Sequence, residues 1–287
     1  VMVTTSGEAA VSGVSLVDNI NTLIIQVFSA LSTGGAVVVS QYLGREDVDN
    51  AKSASKQLLY AMTALSVLLM AAALLFRQHI LALIFGHVEA DVMASALVYF
   101  LLTAAAYPFM GVYNAGAALF RAMGNSKVSM FCSLIINIIN IAVNAVFIYG
   151  FHMGAAGAGI GTLVSRVAAA VIIMALLNHP DHVVRVEGLL RFEFRGAIVK
   201  RILFIGIPNG LENGMFQAGK LMVLNLITTF GTSAVAANAI ANSIAGVVNV
   251  PGQALGLAII TVIGRCMGAG ETEQAARYTK YLVGTCY

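Results

Sequence analysis

Residues 128–151 read VSMFCSLIINIINIAVNAVFIYGF, an apolar run without a single charged side chain. A helix needs about 20 apolar residues to cross the hydrocarbon core of a bilayer, and this run is long enough. Lipid offers no hydrogen bonds to the backbone, so a spanning segment must pair its amides internally, as a helix does. The run therefore indicates a helical integral membrane protein.

Further stretches of the same character flank this run on both sides. They predict spans at about 9–43, 57–76, 92–120, 128–151, 155–177, 202–228 and 232–263, with another beginning near Ala275. Of the 287 residues, 59% are hydrophobic and 10% are charged, whereas about a quarter are charged in a soluble domain. This balance excludes a soluble enzyme and a disordered chain.

The basic residues predict how the spans are oriented. If the spans alternate in direction, loops 44–56, 121–127, 178–201 and 264–280 share one side and carry three, two, five and three Lys or Arg. The loops on the other side carry only Arg77. Basic loops remain in the cytoplasm, so the first set is cytoplasmic. The net charge of +3 is too small to indicate nucleic acid as a partner.

The chain contains a weak internal repeat. Residues 7–51 align with residues 231–275 without a gap, and Gly44 and Gly268 close the two aligned spans on the basic side. The segments lie six spans apart and point the same way, which is typical of transporters whose halves are related by an axis along the membrane normal.

The longest connection marks the boundary between the two halves. It contains His179 and Pro180 and several basic residues, and it predicts a cytoplasmic linker. We therefore expect residues 1–177 to belong to an N-lobe, residues 178–200 to form the linker, and residues 201–287 to begin a C-lobe. The predicted fold class is all-α, a polytopic helical bundle within a two-lobe parallel-repeat transporter.

Polar side chains inside the first half are candidates for a cation site. Asn137, Asn140 and Asn144 share one face of a helix, and their amide oxygens are ligands that a hard cation accepts. Asp18 lies in the first span among other polar residues. An ionisable group at that depth costs about 2.5–3.5 kcal/mol and so indicates function. The alternative is that these groups only join helices by hydrogen bonds.

A second polar stripe lies in the second half and predicts a substrate cavity. It comprises Glu212, Asn213, Gln217 and Lys220, and the repeat places Asn242 opposite Asp18. We assign these five residues and Asn137 to the substrate cavity. A buried Glu can carry a proton near neutral pH. A Glu–Lys pair within the helix is the alternative. Pro251 lies within its span and could act as a hinge or as an ordinary packed kink.

Catalytic and metal-binding motifs are absent from the sequence. There is no HExxH, GxSxG or Cys–His constellation, and Cys132, Cys266 and Cys286 form no CxxC pair. We therefore expect no enzyme activity, no resident metal and no cofactor.

Short segments follow one another along the chain in a distinctive order. They are 30–44 (ALSTGGAVVVSQYLG), 119–127 (LFRAMGNSK), 140–144 (NIAVN), 148–150 (IYG), 154–162 (GAAGAGIGT), 206–208 (GIP) and 251–255 (PGQAL). In order and spacing they resemble the multidrug and toxic compound extrusion (MATE) family, and the wording of 206–208 is closer to its DinF-like branch. The resemblance implies a fragment that lacks the family's first helix and its last three to four.

The resemblance also implies an activity and a site. Such proteins export cationic or amphipathic compounds in exchange for Na⁺ or H⁺, through two lobes that rock about a central cavity. Asn140 matches an Asn of the family's cation site, and Thr162 matches its Thr. Asn144 stands where the family carries an Asp, and the helix-one Asp would precede Val1. Because that carboxylate is missing, Asp18 or Glu212 becomes the stronger candidate for the carboxylate that binds the ion.

The sequence, with this resemblance, therefore predicts a monomeric secondary antiporter in a bacterial inner membrane. Its expected partners are the lipid bilayer and a small organic substrate, and its expected coupling ion is Na⁺ or H⁺. One alternative is a flippase for a lipid-linked saccharide, which a strongly cationic cavity would favour. Another is a membrane-embedded enzyme, which would need paired carboxylates or a His cluster. A passive channel is disfavoured by the repeat.

Overall fold

The computed structural model describes residues 8–85, 89–180, 184–185, 193–230 and 232–286, and the regular elements in these ranges are helices. They are α1 Glu8–Gly44, α2 Val48–Leu75, α3 Arg77–Phe85, α4 Ala90–Ala105, α5 Tyr107–Ala122, α6 Ser126–Ala145, α7 Gly154–Leu177, α8 Gly196–Thr228, α9 Thr232–Ala269 and α10 Thr272–Cys286. Helix α6 continues as a π-helical turn over Val146–Gly150. The prediction of an all-α bundle is confirmed.

Among the described residues, five helices are long and apolar enough to cross a membrane, and α4 with α5 makes a sixth if the bent pair counts as one span. The two helices of this pair meet at an angle of 46°. The bend follows from Pro108 in the first turn of α5, because proline lacks the N–H that would reach the carbonyl of Ala104. The sequence predicted this pair as one unbroken span.

Helix α8, the predicted sixth span, differs from the others in composition. It has 33 residues, but among the described residues it does not reach the mean hydropathy of the spans named above. The reason is the polar stripe that the sequence analysis assigned to a cavity. Its polarity indicates that one face of α8 is turned away from lipid.

The turn into α2, on the basic side of the bundle, is closed by a helix cap. Asp47 precedes the helix and accepts the backbone N–H of Asn50 at 3.1 Å and its side-chain amide at 2.7 Å. These bonds favour the carboxylate and hold the pKa of Asp47 below its usual value. The cap fixes where the chain turns between α1 and α2.

Helix α1 lies at the centre of the bundle and contacts α2, α4, α5, α8 and α9. Val17, Phe28, Val38 and Val39 on α1 are fully buried, and the Phe28 ring meets the edge of the Tyr107 ring with centroids 6.4 Å apart. One helix therefore connects the polar interior of the first half with α8 and α9 of the second.

Helices α1 and α9 cross on the basic side through glycines. A Cβ atom on Gly44 would lie 2.1 Å from the carbonyl oxygen of Arg265, and one on Gly268 would lie 2.1 Å from that of Gln41. Gln41 and Gly44 are the positions that the repeat aligns with Arg265 and Gly268. The internal repeat is therefore present in the structure as a reciprocal backbone contact.

Away from the basic side, the described parts of α8 and α9 are largely uncovered. Met215 is 75% exposed and Val247 is 74% exposed. Among the described residues, no atom lies within 4 Å of a Cβ built on Gly219 or Gly246. The contact of α8 and α9 with α1 is therefore concentrated toward the basic side, and the two helices are open toward the other.

Candidate functional site

A cavity of about 180 Å³ lies between α1, α4, α5, α6 and α7. Four of the predicted site residues line it, namely Asp18, Asn137, Asn140 and Thr162. These residues come from α1, α6 and α7, so the fold brings together side chains that are far apart in sequence. We refer to this space as the first cavity.

Asp18 is held at the wall of the first cavity by hydrogen bonds from two helices. The Tyr99 hydroxyl of α4 donates to Asp18 Oδ1 at 2.9 Å, and Asn21 Nδ2 lies 3.5 Å from the same oxygen. The Tyr107 hydroxyl donates in turn to Asn21 Oδ1 at 3.0 Å. Hydrogen bonds of this kind fix the direction of the carboxylate.

The asparagine row continues the polar network on the opposite wall. Asn144 Nδ2 donates to Asn140 Oδ1 at 3.0 Å, and Asn140 Nδ2 donates to Ser165 Oγ at 3.2 Å. Ser165 Oγ donates to the carbonyl of Thr162 at 2.9 Å. Asn140 therefore uses both ends of its amide within the protein, with one lone pair of Oδ1 still available.

Asn144 lies behind the first cavity, since it is not among the residues that line it. Its Oδ1 is buried and has no hydrogen-bond partner in the described chain. It is directed at the backbone of Gly161, where an added Cβ would lie 1.9 Å from it. Asn144 supports Asn140 from behind, and Gly161 is required because a larger residue would collide with this amide.

Among the lining residues that the sequence analysis did not assign, Tyr99 and Arg166 matter most for the chemistry of the site. A tyrosine inside an apolar helix is common, so no signal marked Tyr99 before its hydroxyl was found on Asp18. Arg166 is a permanent charge within a predicted span, which marks it as a candidate for function. Its position in the same cavity as Asp18 depends on how α7 packs against α1. Among the residues lining the first cavity in the described chain, Asp18 is the only carboxylate and Arg166 the only permanent cation.

A second cavity of about 980 Å³ lies between α8 and α9. Three predicted site residues line it, namely Gln217, Lys220 and Asn242. Further amides and a few apolar side chains complete the wall, including Asn238, Asn249, Gln253 and Phe216. The Lys220 ammonium lies 5.1 Å from the centroid of the Phe216 ring, a cation–π contact.

The remaining predicted residues lie outside these linings. Glu212 is exposed, and Asn213 donates its amide to Asn209 Oδ1 at 2.8 Å. Helix α9 runs through Pro251 without a break, and the role of Pro251 as a hinge stays a prediction. Asn137, which we grouped with the substrate cavity of the second half, lines the first cavity instead.

The fold and the cavities define a class, a multi-pass helical membrane protein that holds polar and charged side chains between its spans. Within this class the chain belongs to the MatE family, whose profile matches residues 1–146 and 205–286. The resemblance read from the sequence is thereby confirmed at the level of the family.

Curated relatives share about a quarter of their residues with this chain. The "Probable multidrug resistance protein NorM" of Thermotoga maritima is 26% identical over 269 residues, which cover 92% of this chain and 57% of the relative. The "Probable multidrug resistance protein YoeA" of Bacillus subtilis is 24% identical over 97% of this chain and 62% of its own length. The "Multidrug export protein MepA" of Staphylococcus aureus is 25% identical over 79% of this chain and 49% of its own. The chain thus spans about half to three fifths of these relatives.

Solved structures share the fold. "Crystal structure of MATE in the bent conformation" superposes with a TM-score of 0.92 at 22% identity, over 99% of this chain and 63% of that one. "Outward-facing conformation of a multidrug resistance MATE family transporter of the MOP superfamily" superposes with a TM-score of 0.90 over the same shares. This agreement confirms the fold class.

Proposed function

We propose that the chain works within a secondary antiporter that exports cationic or amphipathic organic compounds in exchange for Na⁺ or H⁺. The observation that carries the proposal is the first cavity, where Asp18 is held among amides and hydroxyls inside an apolar bundle. An ionisable side chain within an apolar span is costly, and proteins retain it where ions or substrates pass. The names of the curated relatives support the substrate class.

In this proposal the chain divides as the repeat predicts, into an N-lobe at 1–177, a linker at 178–200 and the beginning of a C-lobe at 201–287. The reciprocal contact of Gly44 and Gly268 supports the division, because it places the two repeats face to face. The first cavity would then belong to the N-lobe and the second to the C-lobe.

The coupling ion binds at Asp18 in this proposal. A proton would neutralise the carboxylate, whereas Na⁺ would take the carboxylate together with oxygens of Asn140, Asn137 and Thr162. Arg166 raises the cost of adding a positive charge, so the ion competes with a cation that the protein supplies itself. An ion and a substrate that weaken each other's binding at equilibrium do so reciprocally, which is the coupling that exchange requires.

Alternating access is supported by the uneven contact between the halves. On the basic side Arg265 of α9 donates to the carbonyls of Ala122 and Met123 at 3.3 and 2.7 Å, and Thr261 donates to that of Arg121 at 3.1 Å. These bonds close the cytoplasmic side, while α8 and α9 are open on the other. The arrangement corresponds to an outward-facing state, from which rocking of the lobes would break these bonds.

Efflux from membrane vesicles tests the proposal. We expect Asp18→Asn to abolish export of a fluorescent cationic dye driven by an imposed Na⁺ or pH gradient, because the cavity loses its only described carboxylate. The two gradients are imposed separately to identify the ion. The matched control is Asp91→Asn on α4, an exposed acid that does not line the first cavity. Full gradient-driven export by Asp18→Asn, at equal protein level, would refute the proposal.

The second candidate is a flippase for a lipid-linked saccharide, and Lys220 favours it. Among the residues lining the second cavity in the described chain, Lys220 is the only ionisable one, so that cavity would accept an anionic diphosphate better than a cation. Gradient-independent movement of such a lipid across the same vesicles, without dye export, would favour the flippase.

A further inference from the structure

A third pocket, of about 220 Å³, lies apart from both cavities, on the basic side of the bundle. It is formed by the first turns of α2 and by the segment that leads into α8, and Asp49, Lys52, Lys56, Gln57, Glu193 and Arg195 line it. We call it the interface pocket, because the basic loops of a membrane protein lie at the level of the lipid head groups. The two cavities do not include these residues.

Charges of both signs surround the interface pocket without neutralising one another. Three of the lining residues are basic and two are acidic. In the part of the chain that the structure describes, none of these five forms an ion pair within 4.0 Å. Arg195 is instead fixed by a hydrogen bond from Nη1 to Asn50 Oδ1 at 3.2 Å. A pocket lined by cationic and carboxylate side chains that do not pair with one another suits a ligand that itself carries both charges.

Gln57 gives a second indication of a ligand. Its side chain is only 2% exposed, and its Nε2 donates to the backbone oxygen of Glu193. Its Oε1 is buried and has no donor among the described residues. A buried acceptor without a donor is unfavourable, so a ligand with N–H groups would be stabilised there.

Helix α8, which follows the segment that lines the pocket, has an apolar side that is exposed. Phe204, Ile207 and Leu211 follow one another on one side of α8 at intervals of three and four residues, and each is more than half exposed. They begin about two turns below Gly196, where α8 starts. Acyl chains could lie along this strip while their head group occupies the pocket, which favours a lipid over a free solute.

We propose that the interface pocket binds the phosphoethanolamine head group of an aminophospholipid from the cytoplasmic leaflet. The phosphate lies among the ammonium and guanidinium groups of Lys52, Lys56 and Arg195. The ammonium donates to the two carboxylates and to Gln57 Oε1. Clustered basic residues at the membrane surface attract phosphate in general, and the carboxylates with the amide oxygen restrict the choice to a head group with N–H donors. The proposal does not depend on which compound the protein exports.

Native mass spectrometry of the purified chain with defined lipids tests the assignment. We expect one dioleoyl phosphatidylethanolamine per chain, retained at least about tenfold more tightly than phosphatidylglycerol or phosphatidylcholine, because a charge-assisted hydrogen bond is lost with either. The double variant Lys52→Gln, Lys56→Gln should lose this lipid. Lys127→Gln is the control, a basic residue of the same side that does not line the pocket, and it should retain it.

Glu193→Gln provides the second variant, since it lies in an exposed segment outside the helices and leaves the bundle intact. We expect it to shift the preference from phosphatidylethanolamine toward phosphatidylglycerol. An unchanged preference would overturn the place given to the ammonium. Equal retention of all three lipids would show that the pocket acts only as a general basic surface, and would overturn the selectivity for phosphoethanolamine. Free phosphoethanolamine that competes as well as the lipid would overturn the lipid as its source.

Discussion

The carboxylate of Asp18 shows what a single residue can and cannot reveal in a membrane sequence. An acid within an apolar span is a strong signal, and the sequence analysis found it. Its hydrogen-bond donor was not found, because a tyrosine among apolar residues has an ordinary apolar role in most helices. The pairing of Tyr99 with Asp18 is set by the contact between α1 and α4, which no local pattern encodes.

Tyr99→Phe removes the hydroxyl that donates to Asp18 while leaving the ring in place. In the proposed antiporter we expect the concentration of coupling ion at half-maximal efflux to change by about tenfold or more, since a hydrogen bond to a charged group is worth about 1.5–3 kcal/mol. Its measurement is the ion dependence of dye efflux from vesicles. Tyr149→Phe is the control, an exposed tyrosine that does not line the first cavity. An unchanged ion dependence in Tyr99→Phe would count against Asp18 as the ion ligand.

Helix α1 and its neighbours show how far hydropathy predicts an element. The apolar spans located the centres of the helices correctly, but α2 begins at Val48 and α8 at Gly196, whereas the predicted spans begin at 57 and 202. Hydropathy follows the lipid boundary, and a helix continues past it wherever its backbone is still paired. Close approaches between helices, such as that at Gly268, require three-dimensional packing and were visible in sequence only as matching glycines.

Gly268→Ala tests the close approach of α9 to α1. The added Cβ would lie 2.1 Å from the carbonyl oxygen of Gln41, so the helices must separate and the variant should unfold at a lower temperature than the parent. Gly256→Ala on the same helix is the matched control, because no described atom lies within 4 Å of its added Cβ. We expect that control to be neutral or slightly stabilising, as alanine favours a helix over glycine. Equal melting temperatures for the two variants, measured in the same detergent, would show that the contact is not maintained in solution.

At the scale of the whole molecule, the reciprocal contact and the bonds of Arg265 hold the two halves together on the basic side. The guanidinium lies on the last carbonyls of α5, where a helix presents unpaired acceptors and a partial negative charge. The sequence predicted two halves, but it did not predict which ends of them would touch. Which ends are in contact depends on the conformational state of the protein, and the sequence pattern does not encode that state.

Arg265→Ala should favour opening of the basic side in the proposed rocking mechanism. We expect the distance between spin labels at Glu46 and Glu271, in the turns that follow α1 and α9, to gain a longer component in pulsed electron resonance. Arg277→Ala on α10 is the control, a basic residue of the same side whose side chain is exposed. Identical distance distributions for parent and Arg265→Ala would show that these bonds do not hold the closed side.

In the proposed antiporter, the presence of Arg166 and Asp18 in the wall of one cavity has an electrical consequence. With neither a coupling ion nor a cationic substrate bound, the two fixed charges cancel, so a movement that reorients this cavity carries no net charge through the membrane field. With Na⁺ or H⁺ bound, the same movement carries one positive charge, worth about 2.3 kcal/mol for each 100 mV that it crosses. Voltage would then drive the ion-loaded half of the cycle, and it would act on the return half only through the charge of the exported compound.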